Sequence, residues 1–85
     1  MASMDTQTLA EAINKAVGDE LRGLRGKRKI SRPEMRTRTG LGISTIQRIE
    51  NGETSPDLQQ LVLMLDVLGV GLQEFLANAM KEIEQ

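Results

Sequence analysis

The stretch Ser31–Gly52, SRPEMRTRTGLGISTIQRIENG, constrains the chain most. It reads as two short helices joined by a tight turn. Ser31 can cap the first of them, and Glu34, three residues on, can reach back to the cap's amide in a capping box. Pro33 lies in the first turn, where its missing N–H breaks no internal bond. Gly40 can stop that helix in a left-handed conformation. The next helix spans about Ile43 to Glu50 and ends at Asn51-Gly52, another C-terminal stop. Helices this short do not hold their shape alone in water. The remaining segments must therefore supply a platform, and one face of the pair is left for a partner.

The platform is legible on both sides. From Thr6 to Lys27, apolar residues at Leu9, Ile13, Ala16, Val17, Leu21 and Leu24 fall in steps of three and four and mark one helix face. Asp5 or Thr6 can cap it. Gly18 and Gly23 each weaken a helix interior by about 1 kcal/mol relative to Ala, which suggests a break or a frayed first half. Ser55-Pro56-Asp57 opens a helix, with serine as cap and proline at the first position, that runs to Leu68. Its stripe of Leu58, Leu61, Val62, Leu65 and Leu68, widened by Leu63, Met64 and Val67, places it at the centre of the core. A last helix runs from Leu72 to about Ile83, with Leu72, Phe75, Leu76, Ala79, Met80 and Ile83 on one side. Residues 1–5 read as a disordered tail or an added leader, and 6–85 as a single domain. The expected fold class is all-α, a compact five-helix domain.

Composition excludes several functions. The 85 residues hold no cysteine and no histidine, so there is no disulfide framework, no thiolate or imidazole metal site and no histidine base. With one phenylalanine and no other aromatic residue, an aromatic base-stacking platform for single strands is not expected. No acid pair, nucleophile–base set or phosphate loop is visible, so no enzyme activity, cofactor or metal is expected. No apolar run approaches the roughly 20 residues of a membrane span, and no secretory signal is present, which points to the cytoplasm.

The net charge of −1 conceals strong polarity. Between Arg22 and Arg48 lie nine basic residues and one acid, Glu34, while residues 1–21 carry −3 and residues 49–85 carry −6. The excess of positive charge coincides with the two-helix stretch, which points to an anionic partner.

Five helices with a tight second–third pair resemble the DNA-binding domain of the lambda-repressor/Cro-like (XRE-type) helix-turn-helix family. The resemblance covers about Leu21 to Leu76 and rests on Leu21-Arg22, Leu24-Arg25, Ser31-Arg32-Pro33-Glu34-Met35, Gly40-Leu41, Ser44-Thr45-Ile46, Arg48-Ile49-Glu50-Asn51-Gly52, Ser55-Pro56, Leu68-Gly69-Val70 and Leu72 through Leu76. It implies a bacterial or phage-encoded transcription regulator, commonly a repressor, that binds double-stranded DNA as a homodimer. The third helix would enter the major groove. Residues 43, 47 and 51 share one ridge and 44 and 48 the next, whereas Ile46 and Ile49 face inward. Ile43, Ser44, Gln47 and Arg48 are thus the candidates for base contact. Arg48 suits guanine, Gln47 adenine, Ser44 either partner type, and Ile43 a thymine methyl. Arg32 and Asn51 occupy phosphate-facing positions of the family, with Arg36 and Arg38 as further phosphate contacts. Arg25 and Glu50 hold the positions of a structural ion pair. Arg36 stands where relatives carry a small residue, so it must snorkel outward or the helices must separate slightly. The last helix continues past the family's minimal domain, as a lid on the core or a self-association surface. The other reading is a protein-interaction module or antitoxin on the same scaffold.

Overall fold

The computed structural model describes residues 5–84. They form α1 (Thr6–Lys27), α2 (Arg32–Thr39), α3 (Ile43–Glu50), α4 (Leu58–Leu68) and α5 (Leu72–Glu84). The tail expected at the N-terminus lies outside the described residues, apart from Asp5. That residue caps α1, its carboxylate accepting from the Thr8 amide at 2.8 Å. The hydrogen bond to that amide holds the Asp5 carboxyl below its ordinary pKa.

The break suggested by the two α1 glycines does not occur: α1 runs unbroken from Thr6 to Lys27, and at Gly18 tertiary contact accounts for the glycine. Gly18 is buried, and a Cβ built on it would run into the Ile49 carbonyl oxygen and lie 2.7 Å from that of Glu50. The end of α3 therefore rests directly on the backbone of α1. Gly52, at φ 75°, makes the next contact: a Cβ there would sit 3.0 Å from Lys15 Cα. Two glycines thus let α1 and the exit of α3 approach more closely than side chains would permit.

Ser31 caps α2 as the sequence suggests, accepting from the Glu34 amide at 3.1 Å. The reciprocal half of the box does not form; Glu34 turns along the helix to Arg38, 3.4 Å away. Met35 is the buried anchor of α2. Thr39 closes it, donating to the Met35 carbonyl at 2.7 Å and accepting from the Leu41 amide at 3.1 Å. Gly40 follows at φ 79°.

The start of α4 differs from the reading above. The helix begins at Leu58, with Asp57 and not Ser55 as cap. Asp57 accepts from the Gln60 amide at 2.7 Å and its own amide donates to Gln60 Oε1 at 3.0 Å. Only Asp57 has a polar residue three places on; a cap at Ser55 would face Leu58 and leave the second donor without a partner. The buried face is also rotated. Leu61, Met64, Leu65 and Leu68 point inward, while Leu58 is 72% and Val62 50% exposed. α5 runs one residue past Ile83, inserting Phe75 and Ala79 into the core against α1, with Met80 and Ile83 half-buried. Leu9, Leu72 and Leu76, assigned to apolar faces, are exposed.

α1 and α5 are also joined by charge. Lys15 Nζ donates to Asp19 at 2.8 Å and lies 3.8 Å from Glu82. The Lys15 hydrogen bond lowers the Asp19 pKa, and the same bond raises that of Lys15. No single helix among the described residues is long and apolar enough to cross a membrane.

Helix propensity and packing oppose each other at Gly18. By propensity alone, Gly18→Ala would stabilise α1 by about 1 kcal/mol. The carbonyl contacts reverse the sign, and a net loss of about 1–3 kcal/mol is expected from overpacking. Urea denaturation followed by circular dichroism measures it.

Candidate nucleic-acid interface

α2, the turn Gly40–Gly42 and α3 form the helix-turn-helix. The inner side of α3 is fixed by Ile46 and Ile49, both essentially inaccessible. Its capping residue Gly42 offers no side-chain hydrogen bond, so α3 is held by burial and by its C-terminal end.

That end carries Glu50, 1% exposed and the one buried charged residue among those described. A carboxylate in the last turn sits at the negative end of the helix dipole, where it is disfavoured. Two arginines offset this. Arg25 of α1 binds it side-on, Nε to Oε2 at 2.7 Å and Nη2 to Oε1 at 2.9 Å. Arg32, the first residue of α2, donates from Nε to Oε1 at 3.0 Å. Arg25 spends a further N–H on the Ile30 carbonyl, at 2.9 Å. The Glu50 hydrogen bond raises the Arg25 pKa. One carboxylate thus ties together α1, the α1–α2 turn, α2 and α3. No buried side-chain nitrogen or oxygen among the described residues lacks a partner.

The outer side of α3 is the reverse. Ser44, Gln47 and Arg48 are exposed and make no side-chain hydrogen bond among the described residues. Ile43, at the N-terminal end of the same helix, is half-buried. Asn51 is exposed and donates to Glu53 at 3.2 Å. Arg36 is exposed, so at the helix crossing it snorkels outward.

The basic residues fall into two groups. Arg22 pairs with Asp19, Arg25 and Arg32 with Glu50, and Arg38 with Glu34. Lys27, Arg28, Lys29, Arg36 and Arg48 have no acidic partner among the described residues; the first three lead into the helix-turn-helix, Arg36 lies on α2 and Arg48 on α3. Sequence reasoning missed the inward turn of Arg32 and the role of Gly18. The signal for Gly18 was its place beside Ala16 and Val17 and one turn before Leu21, on the core stripe.

A family model described as a helix-turn-helix domain matches residues 16–77. No curated protein matches the chain. The matched span begins before and ends just after the stretch that resembles the lambda-repressor/Cro-like class.

Removing Glu50 would strand two guanidinium groups at a helix junction. Glu50→Ala is expected to cost about 3–5 kcal/mol, the range for breaking a buried pair from one side. Urea unfolding measures the loss.

Proposed function

Because the chain belongs to the helix-turn-helix domain family, whose members bind DNA, we propose that it is a sequence-specific regulator of transcription. It reads double-stranded DNA with α3 in the major groove and acts as a repressor by occluding a promoter in a bacterial or phage setting. The observation that carries this reading is the asymmetry of α3: its inner face is locked by Ile46, Ile49 and Glu50, while the side chains of Ser44, Gln47 and Arg48 stand outward without a hydrogen-bond partner among the described residues. Side chains that read bases need free donors and acceptors on a rigid support. Arg48 takes guanine O6 and N7, Gln47 and Ser44 the neighbouring edges, and Ile43 a thymine methyl.

Arg36, Arg38, Arg32 and Asn51 hold the sugar–phosphate backbone. Arg38 gives up an exposed 3.4 Å contact with Glu34 to do so, which costs little. Arg32 can leave Glu50 without uncovering it, because both carboxylate oxygens stay bonded to Arg25.

A pseudo-palindromic operator requires two copies, with their α3 helices about 34 Å apart. Exposed apolar surface supports a homodimer contact that includes α5. Leu72 and Leu76 of α5 are exposed, and Val62 and Leu72 line a groove of about 190 Å³ between α4 and α5. The same surface, with Leu58, supports the second reading, a protein-interaction module or antitoxin. Sedimentation separates the two: a self-associating chain becomes monomeric with Leu76→Glu, whereas a heterologous partner surface leaves the chain monomeric throughout.

Gel shifts test DNA reading. Arg48→Ala is expected to relax base preference at one operator position by about 1–3 kcal/mol. Arg36→Ala is expected to weaken all duplexes alike and to flatten the salt dependence by about one counterion. If Arg48→Ala leaves both affinity and sequence preference intact in a selection from random duplexes, the α3 docking is wrong.

A further inference from the structure

The α1–α2 turn carries Lys27, Arg28 and Lys29 in succession, all exposed and none with an acidic partner among the described residues. Two hydrogen bonds fix its backbone. Lys29 N–H donates to the Gly26 carbonyl and Ile30 N–H to that of Arg25, each at 3.1 Å, which is a Schellman ending of α1. Such an ending needs a left-handed residue. α2, α3 and α4 all use glycine there, Gly40, Gly52 and Gly69, at φ between 73° and 79°. Among these four helices α1 alone uses a side-chain-bearing residue: Lys29 lies at φ 56°. A lysine in that conformation is disfavoured relative to glycine, and strain of this kind clusters at functional sites such as ligand clamps.

The turn is also fastened to the reading helix. Ile30 is buried, and its carbonyl accepts from Arg25 Nη1 at 2.9 Å, the same guanidinium that grips Glu50 at the end of α3. Ser31 then caps α2. In a helix-turn-helix the first helix of the pair crosses the nucleic-acid backbone, so a turn entering α2 approaches that backbone. Beyond α3 the chain carries no basic residue before Lys81; Glu53 and Asp57 are exposed there, and Asn51 is the neutral phosphate-facing group.

We propose that Lys27, Arg28 and Lys29 form a preorganised clamp for duplex-DNA phosphates, with Lys29 fixed in a left-handed conformation to aim its ammonium at the backbone strand beside α2. The clamp rests on the DNA-binding reading above. It adds affinity and no sequence preference, and it supplies phosphate contact on the one flank of the reading head that is basic.

Lys29→Gly separates the clamp from a merely tolerated strain. Glycine suits the backbone better, so the melting temperature of the variant should rise. Its binding to every duplex should nonetheless fall, by about 8-fold at 0.1 M salt for one lost phosphate contact, and the salt slope should flatten by about one. Adding Lys27→Gln and Arg28→Gln should flatten it by about two to three in all. Lys81→Gln, which removes an exposed charge from α5, is the matched control and should leave the slope unchanged. A Lys29→Gly protein that binds as wild type, or a Lys81→Gln protein that flattens the slope equally, overturns the clamp while the DNA-binding reading stands. Absence of wild-type binding to random duplex at low salt overturns that reading and the clamp with it.

Discussion

The buried carboxylate of Glu50 is the point on which the helix-turn-helix depends. Burial of a charge is unfavourable unless it is paired and fully hydrogen-bonded, and this one sits at the wrong end of a helix dipole. Three guanidinium N–H groups from Arg25 and Arg32 satisfy it. The arrangement contributes geometry more than net energy. α3 has only eight residues and a glycine cap without a side-chain bond, so it could slide or fray on the two isoleucines beneath it. A directional contact at its last residue fixes both its rotation and its distance from α1.

Close backbone packing reinforces the same junction. The Ile49 and Glu50 carbonyls lie over Gly18, and Gly52 lies over Lys15. Electrostatic and steric constraints therefore converge on the exit of α3 and leave its entrance simple. Rigidity sits beneath the outward residues of α3. α4 adds Leu61, Met64, Leu65 and Leu68 to the same core.

Much of this was legible in the chain. The turn residues at Ser31, Gly40 and Asn51-Gly52 specify local geometry on their own, and the bounds of α2 and α3 follow from them. Apolar periodicity located α1, α4 and α5. Three features escape the periodicity and the start signals. Ser55-Pro56 is itself a helix start signal and competes with Asp57, and what decides the α4 cap is the return bond that Gln60 gives Asp57 and that Leu58 cannot give Ser55. The rotation of α4, which exposes Leu58 and Val62, is set by neighbouring helices, since nearly every position of that helix is apolar. Gly18 looked like a weak point in a helix because propensity carries no knowledge of what lies across from it. For the interface, the residue types on α3 were readable, but the division of the basic residues into paired and unpaired ones required the positions of Asp19, Glu34 and Glu50 in space.

The close seating of α3 on α1 has a consequence for interchangeability. What positions α3 is its own main chain, two isoleucines and one glutamate. None of these lies at 44, 47 or 48. The outward positions can therefore be rewritten without touching the supports beneath. Gly18 belongs to those supports: it has no side chain to present, yet it sets the depth at which any such set of outward residues would be offered.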